Sequence, residues 1–246
     1  MRVSASGWRC AASKAAAAYD AAHAHPDAEL RQQNQAFYEF MVPLVKGYST
    51  EMSLDVASLG VQVHGGMGFI EETGAAQYLR DAKILTIYEG TTAIQANDLV
   101  GRKTARDGGR TAHAIATQIQ ATEAELAART SEAARAMHRR LAAARAAFVE
   151  VVDFVAGQSK TEPNAVFAGS VPYLMLGGKL MAGWQMARAL LVAEDRLAAG
   201  DEAAFMRAKI TTAHFYAEHI LSALPGVRDS IIEGHRSVNE MEAAAF

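Results

Sequence analysis

From Ala112 to Val155 the chain contains neither glycine nor proline and is rich in Ala, Glu and Arg. A stretch that long without a breaker predicts a long helix, with its one candidate interruption at Thr130-Ser131. Ile115, Ile119, Leu126, Met137, Leu141, Phe148, Val151 and Val155 are available for one apolar face. The other segments are alanine-rich as well, and the whole chain has only five prolines, so the expected fold is all-α.

The rest of the chain divides along the same lines. Trp8 to His23 reads as an alanine-rich helix, and His25-Pro26-Asp27 as the break that starts the next. Ala28 to Met41 reads as a second helix, and Pro43 is expected to start or kink a third. Along that third one Leu44, Tyr48, Met52, Val56, Leu59 and Val63 recur at spacings of three or four, drawing an apolar stripe that must face other helices. Glu71-Glu72-Thr73 then begins a short helical segment toward Tyr78 and Arg80. Arg80 and the adjacent Asp81 point apart on a helix and are read as having separate partners. A short helix is expected from Ala93 to about Thr104.

Arg106-Asp107-Gly108-Gly109 is the strongest boundary signal, so the expected domains are residues 1–107 and 108–246. In the second, Asn164 to Tyr173 reads as a loop or helix entry. Leu174 to Leu197 follows as an apolar helix whose Gly177, Gly178 and Gly183 let a neighbour pack closely. Glu202 to Leu224 is the last full helix, with Phe205, Ile210, Phe215 and Ile220 toward the core and Pro225-Gly226 as its stop. A short amphipathic tail carries Ile231 and Ile232.

Half of the residues are hydrophobic, enough for a sizeable core in one or two domains. A net charge of −3 with acid and base intermixed gives no basic footprint for nucleic acid and no polybasic membrane patch. The single cysteine, Cys10, cannot form an internal disulfide, which fits a reducing compartment. The start Met1-Arg2-Val3-Ser4-Ala5-Ser6-Gly7 has no apolar run after its charge and does not read as a signal peptide. The most apolar stretch, Val171 to Trp184, is broken by Gly177, Gly178 and Lys179 and falls short of the roughly 20 apolar residues of a membrane span. A cytoplasmic protein with a diffusible small-molecule partner is expected. No metal is expected either: His214 and His219 are five apart, and His64, His113, His138 and His235 lack acidic or thiol partners at ligand spacing.

Chemistry concentrates in Val61 to Phe69 and Arg80 to Gln95. Glycines crowd at Gly65, Gly66 and Gly68, where absent side chains let a backbone or ligand come close. Glu89 follows Ile87 and Tyr88 and precedes Gly90, which sets a carboxylate among apolar groups at a helix end. Burial of that kind raises a carboxylate's pKa and suits it to proton transfer. Thr91 and Thr92 are N-cap candidates for the next helix, whose free first-turn N–H groups favour an anionic or carbonyl ligand. The blander meanings stand beside these. A Gly-Gly-x-Gly loop without a preceding strand is more often a turn, a Glu before Gly more often a solvated helix end, and His64 more often a capping histidine.

The loop Gln62-Val63-His64-Gly65-Gly66-Met67-Gly68-Phe69 and the segment Arg80-Asp81-Ala82-Lys83-Ile84 with Ile87-Tyr88-Glu89-Gly90-Thr91 resemble the C-terminal domain of acyl-CoA dehydrogenases. These are flavoenzymes that desaturate an acyl-CoA thioester between its α and β carbons. The flanks Pro43 to Gly47 and Asp98 to Lys103 are most similar to the subclass with an extra C-terminal helical domain, which includes the 3-methylmercaptopropionyl-CoA dehydrogenases. The resemblance implies an incomplete C-terminal bundle followed by a helical extension. By the same resemblance the family's N-terminal helical and β-barrel domains would lie before this stretch, which is expected to be a fragment, an isolated domain or the product of a gene truncated at its 5′ end.

It further implies Glu89 as the base that removes the α-proton while hydride passes to FAD. Gln62, Val63, His64, Gly65 and Gly66 would contact the FAD of a neighbouring subunit, Thr91 and Thr92 would contact FAD on the catalytic side, and Gly90 would touch the substrate. Ala93 departs from a glutamine found in some members. Gly101 stands where some carry a substrate-binding arginine, with Arg102 one step off. The implied partners are acyl-CoA, an acceptor such as an electron-transfer flavoprotein, and further copies of the chain in a homodimer or larger assembly. A non-catalytic helical oligomerisation module, or a truncated remnant of such an enzyme, is the alternative.

Overall fold

His25-Pro26-Asp27 turns the chain between α1 (Arg2–Ala24) and α2 (Ala28–His64) in the computed structural model, which describes residues 2–240 together with 242 and 244. Met1, the first residue of the charged amino-terminal segment, lies outside them. Asp27 caps α2, its Oδ1 accepting from the amides of Glu29 at 2.8 Å and Leu30 at 3.2 Å, donors that no helical carbonyl reaches. The two helices run antiparallel. Trp8 Nε1 donates to Ser49 Oγ at 2.5 Å, and further along Tyr19 meets Tyr38 edge-on at 5.1 Å.

The second and third expected helices are one. α2 continues through Pro43, although an interior proline forgoes a hydrogen bond and costs about 3 kcal/mol in an isolated helix. Phe40, Met41, Pro43 and Leu44 are all buried, and this packing outweighs the local preference. The apolar stripe of α2 is only half covered, contrary to expectation. Leu44 and Tyr48 lie in the core, whereas Leu59 is 51% and Val63 78% exposed.

After α2 come α3 (Gly66–Phe69), a 3-10 turn over Glu71–Thr73, α4 (Ala75–Leu85) and α5 (Thr92–Asp98). Arg80 meets Glu71 at 3.5 Å, both of them exposed. The short helix expected to reach Thr104 widens after Asp98 into a π-helix, Leu99–Ala105, with Arg106 N–H donating to Gly101 O at 3.1 Å. Buried Thr104 fixes its end through its hydroxyl, 3.0 Å from that of Tyr173.

Gly108 and Gly109 then take positive φ, 66° and 80°. Asp107 closes this turn by accepting from Gly109 N–H, Thr111 N–H and the Thr111 hydroxyl. The long Gly- and Pro-free segment is interrupted where expected, between α6 (Arg110–Ala127) and α7 (Glu132–Gln158), with Ser131 Oγ capping Ala134 N–H at 3.0 Å. All eight side chains predicted for its apolar face are buried.

α8 (Pro163–Ala168) leads into α9 (Ser170–Ala198), which starts before the expected Leu174 because Pro172 sits in its first turn. Its glycines do admit close neighbours. A Cβ at Gly178 would lie 2.3 Å from Tyr48 Cγ, and one at Gly183 would lie 2.6 Å from Leu221.

α10 (Ala203–His219) departs from expectation in two ways. It ends at His219 rather than Leu224, and Pro225 lies in the first turn of the next helix, α11 (Leu224–Ile232), where a missing N–H costs nothing. Phe205 and Phe215 face outward, 52% and 46% exposed, while Met206, Ala213, Tyr216 and Ala217 are buried. Small Ala213 and Ala217 let α10 approach the core closely at those two positions, leaving room for Met206 and Tyr216 to pack inward. α12 (His235–Asn239) follows α11.

One hydrophobic core joins helices from both sides of the Asp107 turn. Phe148 of α7 lies between Phe40 of α2, at 6.3 Å, and Tyr173 of α9, at 6.0 Å. Two buried polar pairs lie within the bundle. Trp184 Nε1 donates to Thr122 Oγ1 at 2.9 Å, and Arg145 grips buried Glu123 with two bonds of 2.8 and 3.1 Å. No helix among the described residues is long and apolar enough to cross a membrane.

Candidate functional site

The far end of α2, beyond the core, carries the glycine loop. His64 closes the last turn through Nδ1, 2.9 Å from Gly60 O, and Gly65 N–H bonds Gln62 O at 3.1 Å. The three glycines serve different ends. Gly65 takes φ 60°, a left-handed region that disfavours side chains. Gly68 is bare for packing, since a Cβ there would stand 2.3 Å from Val61 O. Gly66 has ordinary φ and open space where a Cβ would be. Nothing inside the chain requires glycine at 66, so its exposed backbone is free for another group to approach.

Gln62, Val63, His64, Gly65 and Gly66 are all exposed. Thr73 folds the loop back through its hydroxyl, which donates to Met67 O and Ile70 O. α4 then lies along α2, leaving a groove of about 410 Å³ walled by Val56, Ala57, Gly60, Ala75 and Tyr78.

The Glu89 turn follows α4. Buried Thr86 donates its hydroxyl to Lys83 O at 3.1 Å and accepts Thr92 N–H on its carbonyl at 3.3 Å, closing the turn at its base. Glu89 and Gly90 between them take φ 49° and 89°. For Glu89 this left-handed conformation costs roughly 1–2 kcal/mol. Gly90 is bare because Gln95 lies across it, with Nε2 2.6 Å from where a Cβ would be.

Two residues of α2 that sequence reasoning did not single out tie this turn down. Lys46 Nζ donates to Leu85 O at 2.8 Å and lies over the Tyr88 ring at 5.0 Å. Glu51 accepts from the Thr92 hydroxyl. No local pattern signals either contact, since the partners are some forty residues apart.

Two expectations for this region need correction. Glu89 is exposed rather than buried. Its apolar neighbours are present but uncovered, with Ile84, Ile87, Tyr88 and Ile94 between 45% and 57% exposed. The first-turn donors of α5 are also partly consumed. Ile94 N–H goes to Thr91 Oγ1 at 3.3 Å and Thr92 N–H to Thr86 O, so the donor cluster is smaller than the sequence suggests. Thr91 does cap the helix, and Thr91 and Thr92 are half-buried.

Two of the histidines elsewhere have partners of their own. His113 Nε2 lies 2.8 Å from Asp153 Oδ1 across α6 and α7, an acid that sequence spacing does not reveal, and His219 stacks on Phe215.

The arrangement is a carboxylate on a pinned left-handed turn beside an exposed apolar surface, tied to α2 at Lys46 and Glu51, with the bare glycine loop a separate feature roughly 20 Å further along the same helix. Comparison with known proteins agrees with the helical architecture. A family model described as "Acyl-CoA dehydrogenase, C-terminal domain" matches residues 1–104, and one described as "Acetyl-CoA dehydrogenase C-terminal like" matches residues 115–242, over half of the chain. The chain is 56% identical over 197 residues to the 3-methylmercaptopropionyl-CoA dehydrogenase of Ruegeria pomeroyi, an alignment covering 80% of this chain and 33% of that protein. It is 35% identical over 219 residues to the broad-specificity linear acyl-CoA dehydrogenase FadE5 of Mycobacterium tuberculosis, covering 85% and 35%. A butyryl-CoA dehydrogenase of Syntrophomonas wolfei is 29% identical over 235 residues, covering 92% and 37%. The chain thus spans about a third of the length of these relatives.

Proposed function

Because the chain belongs to the acyl-CoA dehydrogenase family, we propose that it supplies the base and one wall of a site that desaturates an acyl-CoA thioester, with Glu89 removing the α-proton. The observation that carries this reading is the turn itself. A glutamate held at positive φ between an anchored helix end and Gly90 is strained, and such strain is characteristic of residues placed for chemistry. Its role is general base: the carboxylate takes the proton as the thioester becomes enolate-like. In this reading Gly90 touches the substrate through its backbone, its Cα face being covered by Gln95, and Ile87, Tyr88 and Ile94 provide an apolar surface for the acyl chain.

The glycine loop fits a flavin edge. Gln62 and His64 are exposed polar groups beside the bare backbone of Gly65 and Gly66. In this reading they and Val63 hold the FAD of a neighbouring subunit, and Thr91 and Thr92 hold FAD on the catalytic side. The bound flavin supplies the hydride acceptor for the β carbon. Residues 1–107 and 108–246 act as two family modules packed on a common core. The assembly is a cytoplasmic homo-oligomer that passes electrons to an acceptor such as an electron-transfer flavoprotein. The relatives' names have a short or linear acyl-CoA thioester in common, and that is the substrate class.

With Glu89 open to water, the isolated chain does not carry the reaction. A second reading, a non-catalytic helical oligomerisation module, draws on that same exposure. Substitution Glu89→Gln in a flavin-loaded parent enzyme separates the two, because it keeps shape and removes basicity. Turnover falls by about two orders of magnitude or more on the first reading, with the flavin spectrum unchanged. Near-normal turnover would end the assignment.

A further inference from the structure

We propose that the cleft between α9 and α10 is a second small-molecule site, for an amphipathic monoanion of the alkyl carboxylate class. It shares no residue with the Glu89 face. The cleft encloses about 590 Å³, inside the roughly 300–1,000 Å³ typical of small-ligand sites.

Its walls fit a body with one apolar side and one anionic end. Leu191 and Met206 are buried in its floor, while Val192 and Phe205 stand at its sides 58% and 52% exposed. These outward apolar side chains face a concavity rather than open solvent. Gln185, only 6% exposed, is the buried polar group of the lining, and its Oε1 accepts from Arg188 Nη1 at 3.0 Å. That contact orients the guanidinium.

The lining is cationic on balance, with Arg129, Arg188, Arg196 and Lys209 against Glu125 and Asp195. Arg129 is neutralised by Asp195 through two bonds of 2.5 and 3.0 Å, and Arg196 meets Asp201 at 3.5 Å. Arg188 and Lys209 have no carboxylate within 4.0 Å among the described residues. Lys209 is half-buried and lies over the Phe205 ring at 5.2 Å. Burial first, and then the charge of Arg188, hold the nearby Lys14 ammonium below the usual lysine range. A carboxylate on an alkyl chain gives the exposed Arg188 and half-buried Lys209 an anionic partner while its chain covers the apolar wall. A neutral alkane leaves them unpaired, and a polyphosphate leaves Val192 and Phe205 uncovered.

Cys10, exposed and the only cysteine of the chain, lines the rim and reports occupancy. The test is calorimetric titration of the chain with decanoate below its micelle concentration, alongside the rate of Cys10 alkylation by N-ethylmaleimide. Saturable binding at one site is expected, with alkylation slowed at matching concentrations. Decanol should bind about tenfold more weakly or worse, as should decanoate to the Arg188→Gln/Lys209→Gln double variant, since each loses a charge-assisted bond. No heat and no protection at millimolar decanoate overturns the proposal, and so does decanol binding as well as decanoate. The decanol comparison uses the unaltered chain, so the test stands even if the double variant fails to fold.

Discussion

The ammonium of Lys46 donates to the carbonyl oxygen of Leu85 across 2.8 Å, joining the middle of α2 to the last turn of α4. The contact places a positive charge at a helix C-terminus, where carbonyls lack partners and the dipole is negative. It also fixes the starting point of the turn that holds Glu89 four residues later. The Tyr88 ring lies against the same ammonium at 5.0 Å, so the anchor grips both ends of the Leu85–Tyr88 link.

Replacing Lys46 by Met keeps the stem and removes the donor. The chain should lose about 1–3 kcal/mol of unfolding free energy by urea titration, the usual worth of a bond to a charged group. The loss should be local in origin, with faster amide exchange at Tyr88 and Thr92 and little change in α7. Unaltered exchange in the turn would mean that Thr86 and Glu51 hold it without Lys46.

Alkaline pH probes the tyrosines that pin α9. Burial pushes the Tyr48 hydroxyl up to about 12, and burial likewise raises Tyr173 and Tyr216, which is also raised by its contact with Tyr48. Below about pH 10 all three are protonated in folded and unfolded chains alike, and their contribution is intact. Above it the unfolded chain ionises first. Stability should therefore fall as pH rises from about 10 toward 12, by up to about 1.4 kcal/mol per pH unit for each buried tyrosine. Urea midpoints measured across that range, with Tyr48→Phe expected to flatten the decline, check the sign and the assignment. A midpoint flat to pH 12 contradicts it.

How much of this was legible in the sequence depended on whether the signal was local. Met137, Leu141, Phe148, Val151 and Val155 fall on one face of a segment without breakers, and their burial follows from spacing alone. α10 carries large apolar side chains on two faces. The choice between them was made by Ala213 and Ala217, whose small size matters only once α9 is alongside. Pro43 was overridden by the burial of its neighbours. In the candidate site, Glu89-Gly90 and the glycine loop announce themselves by composition, and the capping role of Thr91 by its position. Lys46 and Glu51 do not, because their partners are distant in sequence. The exposure of Glu89 was equally hidden, since Ile87 and Tyr88 beside it suggest cover that this chain does not provide.

The same exposure decides how the isolated chain meets flavin. Gln62 to Gly66 form an open ledge, and Thr91 and Thr92 lie only half-buried, with the Thr92 hydroxyl committed to Glu51. A cofactor of flavin's size needs most of its surface covered to stay bound, as small-molecule sites bury roughly 70–90% of their ligands. One open face cannot do that. The chain incubated with FAD and then desalted should therefore be colourless, and adding an acyl-CoA should change nothing in its visible spectrum. Flavin bands that survive desalting would show that this ledge, closed by a second copy of the chain, suffices to hold the cofactor. Decanoate binding at the α9–α10 cleft would be unaffected by either result, which keeps the two sites experimentally separate.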